Sequence, residues 1–248
     1  MKNFYSVCFF LFVTFLVSCG NKVSYEELDF KSDIAQYKGK PYTGSFFQSF
    51  PNGDIKWEGQ FKDGLKVGKF TRYFDNKQIL QEDSYIIKVY VDKPFSLQDG
   101  VQKQFHENGK PSYIFNYKEG DKEGLQESFN SNGFKYKIEN YKDGKLEGEK
   151  VEYQYEGLEG VLKFKCNYKK GKPDGEMLQY WNDGTLWRKV FFKNGKEEGV
   201  EEVYNPKGVL IEKNVYTSGF KWESKSESFG NGEYIEPPGY LPAKKVKN

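Results

Sequence analysis

The chain has 248 residues, of which only 37% are hydrophobic, and its mean hydropathy of −0.82 argues against a thick two-layer core. An aromatic content of 18% together with 26 glycines argues equally against a disordered chain and indicates short strands joined by tight turns. The formal net charge of +2 gives no indication of a nucleic-acid partner.

Residues 1–18 have the pattern of an export signal. The apolar run from Phe4 to Val17 follows the positive charge of Lys2 and is too short for a membrane span. It ends in Leu16-Val17-Ser18-Cys19-Gly20, which resembles the lipobox of bacterial lipoproteins. That resemblance implies cleavage before Cys19, acylation of its thiol and attachment to an envelope membrane, on the periplasmic or surface side. We expect residues 19–25 to form the lipidated terminus and a short tether, with an uncleaved anchor as the alternative.

After a partial leading hairpin expected over Glu26 to Tyr37, the chain is a repeat. A glycine recurs mostly every 24 residues, and a turn follows nine residues after each copy. The recurring glycines are Gly44, Gly68, Gly100, Gly124, Gly148, Gly175 and Gly199, and the turn positions are Gly53, Lys77, Gly109, Gly133, Gly157, Gly184 and Gly208. Extra residues in the second unit, around Val89 to Leu97, and in the fifth, around Tyr155 to Gly160, are expected to be loops.

Each unit is predicted to be two strands around a turn. The sequences Phe50-Pro51-Asn52-Gly53 and Asn205-Pro206-Lys207-Gly208 place proline second and glycine fourth, as in a type I turn with a G1 bulge. Such a turn pairs the residue four before the turn glycine with the residue two after it. In the second unit Lys77 replaces the glycine, and Asn76 is expected to take the strained position.

From this turn we expect positions −4, +2, +4, +6 and +8 relative to the turn glycine to share one face of the sheet. Positions −4 and +8 are mostly aromatic, so one face is predicted to be aromatic and the other mostly polar. The regular later units supply the candidate binding face, formed by Tyr153, Tyr168, Tyr180, Phe192, Tyr204 and Tyr216. The alternative is that these rings only pack against one another inside a curled sheet.

Other reactive residue types give no catalytic prediction. The single histidine, His106, provides neither a His-paired nucleophile nor a multi-histidine metal site and is interpreted as a surface residue. Cys166 is interpreted as a structural thiol in an apolar column. The acidic cluster is interpreted as solvated turn and strand residues rather than a catalytic or calcium-binding site. Its members are Glu197, Glu198, Glu201 and Glu202. No cofactor is predicted.

The segments Lys38-Gly39-Lys40-Pro41-Tyr42-Thr43-Gly44 and Phe61-Lys62-Asp63-Gly64-Leu65-Lys66-Val67-Gly68 resemble the bacterial MORN-repeat variant family, which includes proteins named YwqK-type antitoxins. The similarity extends over about three quarters of the chain. It implies an all-β fold, an elongated single-layer antiparallel meander of about seven stacked β-hairpins over residues 26–220, used for protein or lipid contacts. Residues 221–248 are predicted to be a C-terminal segment, in which Phe229 to Asn248, with several prolines and with Lys244, Lys245 and Lys247, forms an extended, mobile tail.

These patterns together predict a non-catalytic scaffold, attached to an envelope membrane through its N-terminal lipid and contacting a protein partner or lipid through its aromatic face. An antitoxin-like or immunity-like protein that neutralises a partner toxin is the alternative, implied by the family name alone. The export signal argues against a toxin in the cytoplasm. An enzyme acting on envelope polysaccharide through aromatic platforms is a third hypothesis.

Overall fold

The computed structural model describes residues 22–155, 160–222 and 227–228. These residues form a 21-stranded sheet and a separate 3-stranded sheet, and their helical structure is limited to one 3-10 turn at Tyr25–Glu27. The predicted all-β class and the open, mostly antiparallel array of hairpins are confirmed. The predicted export signal, Cys19 and the lysines of the predicted C-terminal tail lie outside the described residues.

Consecutive hairpins pair antiparallel along the whole sheet, as a meander requires. The hairpin strands are β5 (Gly44–Ser49) with β6 (Ile55–Lys62), β8 (Gly68–Tyr73) with β9 (Ile79–Tyr90), β11 (Gly100–Phe105) with β12 (Pro111–Lys118), β14 (Gly124–Phe129) with β15 (Lys135–Lys142), β17 (Gly148–Tyr153) with β18 (Leu162–Lys169), β19 (Lys172–Tyr180) with β20 (Leu186–Lys193), and β21 (Lys196–Tyr204) with β22 (Leu210–Thr217). Two-residue strands follow several hairpins, namely β7 (Leu65–Lys66), β13 (Asp121–Lys122), β16 (Lys145–Leu146), β23 (Phe220–Lys221) and β24 (Glu227–Ser228).

The six hairpin turns within the described residues have the hydrogen bonds of the predicted type, and the fifth turn, at Gly157, lies outside those residues. In the first unit the N–H of Gly53 donates to the carbonyl of Phe50 at 2.9 Å, and the N–H of Phe50 donates to the carbonyl of Asp54 at 2.8 Å. These are the two bonds of a type I turn closed by a G1 bulge, and Gly53 has the positive φ of 88° that the bulge needs. The expectation for the second unit is wrong, because Lys77 itself takes the left-handed position at φ 69°.

The N-terminal segment covers the first end of the array. Strand β1 (Val23–Ser24) pairs in parallel with β5, while β2 (Asp29–Lys31), β3 (Ile34–Tyr37) and β4 (Lys40–Pro41) form the small sheet. The expected leading hairpin is therefore present as β2 and β3. Its residues join a buried cluster formed by Val23, Leu28, Ala35, Tyr42, Phe46, Phe61 and Phe70. The segment thus buries the apolar side chains of a terminal repeat, as end caps do in repeat proteins.

The extra residues of the second unit form a hairpin rather than the expected loop. Strand β9 continues to Tyr90, and the chain returns as β10 (Lys93–Gln98), with pairs that run from Tyr90 and Lys93 to Tyr85 and Gln98. β10 takes the place that a two-residue strand occupies in other units. The β-branched and aromatic residues of the insertion favour this strand pairing. We call residues 86–97 the β9–β10 ribbon.

Candidate interaction surfaces

The pairing inferred from the turn is confirmed, but the shared face that was expected from it is wrong. Tyr180 pairs with Leu186, as the turn requires, yet the next pair joins Gln179 to Arg188. One residue, Trp187, is therefore extra on the second strand. Because side chains alternate between faces, a one-residue bulge reverses the alternation for the rest of the strand. The same shift occurs at the corresponding place in the neighbouring fifth and seventh units.

The bulge divides the six candidate residues between the two sides of the sheet. In the seventh unit the Tyr204 hydroxyl donates to Glu202 at 3.0 Å, whereas the Tyr216 hydroxyl donates to Glu201 at 3.2 Å. Glu201 and Glu202 are consecutive on β21 and point to opposite faces. We call the side with Tyr168, Phe192 and Tyr216 the core face, and the side with Tyr153, Tyr180 and Tyr204 the outer face.

The core face of the later units is closed by its own packing. Cys166, Met177 and Val190 form a buried cluster, against which Tyr168 and Phe192 pack. Burial raises the pKa of the Cys166 thiol to about 11, in agreement with its interpretation as a structural residue. The two aromatic rings therefore contribute to the interior of the array.

A charged network completes the core face in the last two units. The Arg188 guanidinium pairs with both Glu197 and Glu201, while Glu201 also accepts a hydrogen bond from Asn214 Nδ2 at 2.7 Å. Only 5% of Glu201 is exposed, so its interpretation as a solvated residue is wrong. Burial, followed by the nearby Glu201 carboxylate, raises the pKa of Tyr216. A buried carboxylate with this many donors holds β20, β21 and β22 together.

The outer face carries rings that lie on the opposite side of the sheet from the Cys166 cluster. Tyr153, Tyr180 and Tyr204 are partly exposed there. Their lysine neighbours are paired, Lys165 with Glu149 at 2.6 Å and Lys189 with Glu176 at 3.1 Å. The same face carries the exposed apolar side chains of Val101, Leu125, Phe191 and Val200. This surface is therefore apolar in part, with its charges neutralised locally.

An aromatic cleft lies between the N-terminal segment and the first two units. The Tyr25 and Trp57 rings, with centroids 4.9 Å apart, separate cavities of about 360 and 500 Å³. The guanidinium of Arg72 lies 5.3 Å from the Trp57 ring, and the Lys66 ammonium lies 5.9 Å from it. Burial, followed by the charge of Arg72, lowers the pKa of Lys66. Both cations therefore make cation–π contacts with the wall of the cleft.

Within the described ranges, no group of three or more histidine, cysteine, aspartate or glutamate side chains could hold a metal ion. His106 is partly buried rather than fully on the surface, and its Nε2 lies 3.1 Å from the carbonyl oxygen of Phe129. Among the same residues, no helix is long and apolar enough to cross a membrane.

Comparison with known families supports the hairpin as the repeat unit. The MORN repeat variant model matches residues 66–86, 98–119 and 173–194. No curated protein matches the chain. Each matched segment extends over one hairpin, namely β8 with β9, β11 with β12, and β19 with β20. MORN repeats generally take part in protein or membrane contacts and are typically non-catalytic. The second, third and sixth hairpins of this array are thus similar to the MORN repeat variant.

Proposed function

We propose that this chain is a non-catalytic scaffold, held at an envelope membrane by an acylated Cys19, that binds a protein partner through its outer face. The observation that carries the proposal is the division of the aromatic residues. All six rings are partly exposed, but Tyr168 and Phe192 pack against the buried cluster of the core face and Tyr216 donates to the buried Glu201, whereas the outer-face tyrosines lie on the opposite side of the sheet from that cluster. An extended surface of this kind suits a contact with another macromolecule rather than catalysis.

The outer-face tyrosines have the spacing of a ladder. Tyr153, Tyr180 and Tyr204 end the first strands of successive hairpins, so neighbouring rings are two strands, or about 10 Å, apart. Each ring offers an apolar body and a hydroxyl, a combination that is enriched in binding surfaces. Because Lys165 and Lys189 are already paired with carboxylates, we expect binding to depend weakly on salt.

The partner test begins with a photo-crosslinking residue at position 180 in intact envelopes, to identify the protein that contacts the outer face. The affinity of that purified protein is then measured for a Tyr180→Ser, Tyr204→Ser variant at low and high salt. We expect a loss of about thirtyfold at either salt concentration, since a central aromatic residue commonly contributes about 2 kcal/mol or more. A Lys165→Ser, Lys189→Ser variant is the matched control on the same face. Unchanged affinity in a folded tyrosine variant would contradict the proposal.

The anchor is tested separately. A Cys19→Ala variant is expected to lose metabolic palmitate labelling and to be released or mislocalised, because the acyl chains on Cys19 supply the proposed attachment. Labelling that persists in this variant would refute the lipoprotein assignment without affecting the outer-face proposal. Identification of a toxin as the crosslinked protein would favour the antitoxin-like alternative.

A further inference from the structure

The β9–β10 ribbon has an apolar end that lies in solvent. Val89 is 67% exposed, Tyr90 is 72% exposed and Val91 is 75% exposed, and Phe95 is exposed beside them. Lys93 at the end of the ribbon is exposed too, and Lys88 pairs with Glu119 at 2.8 Å. Water solvates such a cluster of apolar side chains poorly, and exposed apolar clusters usually mark a surface that is covered in use.

The turn at this end differs in chemistry from the other two-residue turns with the same backbone. Val91 and Asp92 both have positive φ, at 48° and 59°. The corresponding turns elsewhere begin with a polar residue, followed by aspartate in Ser32-Asp33 and by glycine in Lys38-Gly39, Asp63-Gly64, Glu119-Gly120, Asp143-Gly144, Lys170-Gly171, Asn194-Gly195 and Ser218-Gly219. Val91 is the one apolar non-glycine residue with positive φ in the described part of the chain. A β-branched residue is strained there, so folding stability does not explain its presence.

The ribbon and the N-terminus leave the sheet in the same direction. Through the registers of β1 with β5, β5 with β6, β6 with β8 and β8 with β9, Val23 lies level with Asp83. β1 is parallel to β5, so the chain that precedes Val23 approaches from the edge of the sheet that holds the inter-repeat turns. β9 runs past Asp83 toward that same edge and ends there in the ribbon.

The distance by which the ribbon extends beyond the N-terminus matches the depth of a membrane interface. Tyr90 lies seven residues beyond Asp83 on β9, or about 23 Å further along the strand direction. Cys19 lies four positions before Val23 in the chain, so the Cys19 backbone can stand at most about 14 Å beyond the level of Val23. The end of the ribbon therefore extends about 9 Å or more past an acylated Cys19. Amphipathic elements that bind at an interface bury their apolar side by about 5–10 Å.

We propose that the β9–β10 ribbon inserts its end into the surface of the bilayer that holds Cys19, as a second contact with the lipid. This inference rests on the proposed acylation of Cys19. Val89 and Val91 enter the boundary between headgroups and acyl chains, Tyr90 provides the aromatic ring typical of that boundary, and Phe95, which pairs with Lys88, lies at its outer limit. Lys93 pairs with Tyr90 at the end of the ribbon and extends its ammonium back to the level of the headgroups. Two contacts on one edge orient the array relative to the membrane.

The first test uses a variant that should fold at least as well as the natural chain. Val91→Asn with Asp92→Gly gives the sequence that this turn prefers, so we expect an equal or higher melting temperature. Val89→Thr, Tyr90→Thr and Phe95→Thr are added to remove the apolar end. Binding of the non-acylated mature chain, which carries Cys19→Ala and lacks residues 1–18, to vesicles of phosphatidylethanolamine and phosphatidylglycerol should fall by about tenfold. Val209→Thr, an exposed apolar residue at the opposite edge, is the control and should leave binding unchanged.

The second test measures depth directly on the acylated protein. A polarity-sensitive fluorophore is attached through Asp92→Cys and, as the matched control, through Lys207→Cys in a turn at the opposite edge. Quenching by spin-labelled lipids is expected at position 92 and not at position 207. A solvent-like signal at position 92 in protein whose Cys19 acylation has been verified would overturn the ribbon inference alone. Absence of acylation would refute the anchor, and the vesicle test above would still decide the ribbon. Vesicle binding that is unaffected by the ribbon substitutions also overturns the inference.

Discussion

The charged network of the core face makes a strong prediction for Arg188→Met. This substitution removes the cation that pairs with Glu197 and Glu201. The pair of Arg188 with Glu201 is nearly buried, with side chains that are 15% and 6% exposed. Removing one partner of a buried ion pair typically costs about 3–5 kcal/mol, because the remaining charge is left uncompensated. Asn214 and Tyr216 still donate to Glu201, so we expect a loss near the lower end, about 3 kcal/mol.

The measurement is the free energy of unfolding from urea titration of the purified full chain, followed by circular dichroism. Lys189→Met is the matched control, because its pair with Glu176 is nearly half exposed on both sides and should contribute less than about 1 kcal/mol. Replacing both Arg188 and Glu201 with methionine should recover most of the loss, since no buried charge then remains unpaired. A loss below about 1 kcal/mol in Arg188→Met would refute the view that this network closes the core face.

Three further predictions concern the glycine contacts, a turn and the buried thiol. Gly59→Ala should lower the free energy of unfolding by about 1–3 kcal/mol in urea titration, because its Cβ would stand 2.6 Å from the Phe70 ring; an unchanged value would contradict the tight packing. Lys77→Gly should raise the melting temperature and add up to about 1 kcal/mol, because it relieves the left-handed conformation of Lys77; a lower melting temperature would count against this reasoning. The raised pKa of Cys166, about 11 against 9.0 for a free thiol, means that its contribution to stability is present below pH 9.0 and is lost as the pH rises toward about 11. Cys166→Ala should flatten this part of the pH profile, and an identical profile in the variant would disprove the assignment.

Local sequence signals were sufficient for the repeat and its turns. Proline and glycine fix the backbone at Phe50-Pro51-Asn52-Gly53, and the type I turn with its bulge then fixes the pairing of the position four before the glycine with the position two after it. The aromatic periodicity likewise predicted the all-β class and the succession of hairpins. These properties depend on residues close together in the chain, so each unit carries its own information.

The distribution of side chains between the faces was decided by the tertiary structure. The sequence pattern does not reveal that Trp187 is an extra residue in the pairing of β19 with β20, and this one residue moves Phe192 to the face opposite Tyr180. The sequence did contain one signal of this bulge. Trp187 and Phe191 interrupt the alternation of polar and apolar residues in β20. The burial of Glu201 could not be found from its acidic neighbours, because it depends on Arg188 in an adjacent strand.

By itself, the sequence determined a chain of hairpins with defined turns, because turn chemistry and alternation act over a few residues. Only the tertiary structure decided which aromatic rings lie on the core face and which on the outer face, since that depends on bulges and on contacts between strands of different units. It also decided that the insertion of the second unit is a ribbon on the same edge as the N-terminus. The directions in which the ribbon and the N-terminus leave the sheet are set by the register of four successive strand pairs. No local pattern in the chain specifies that register.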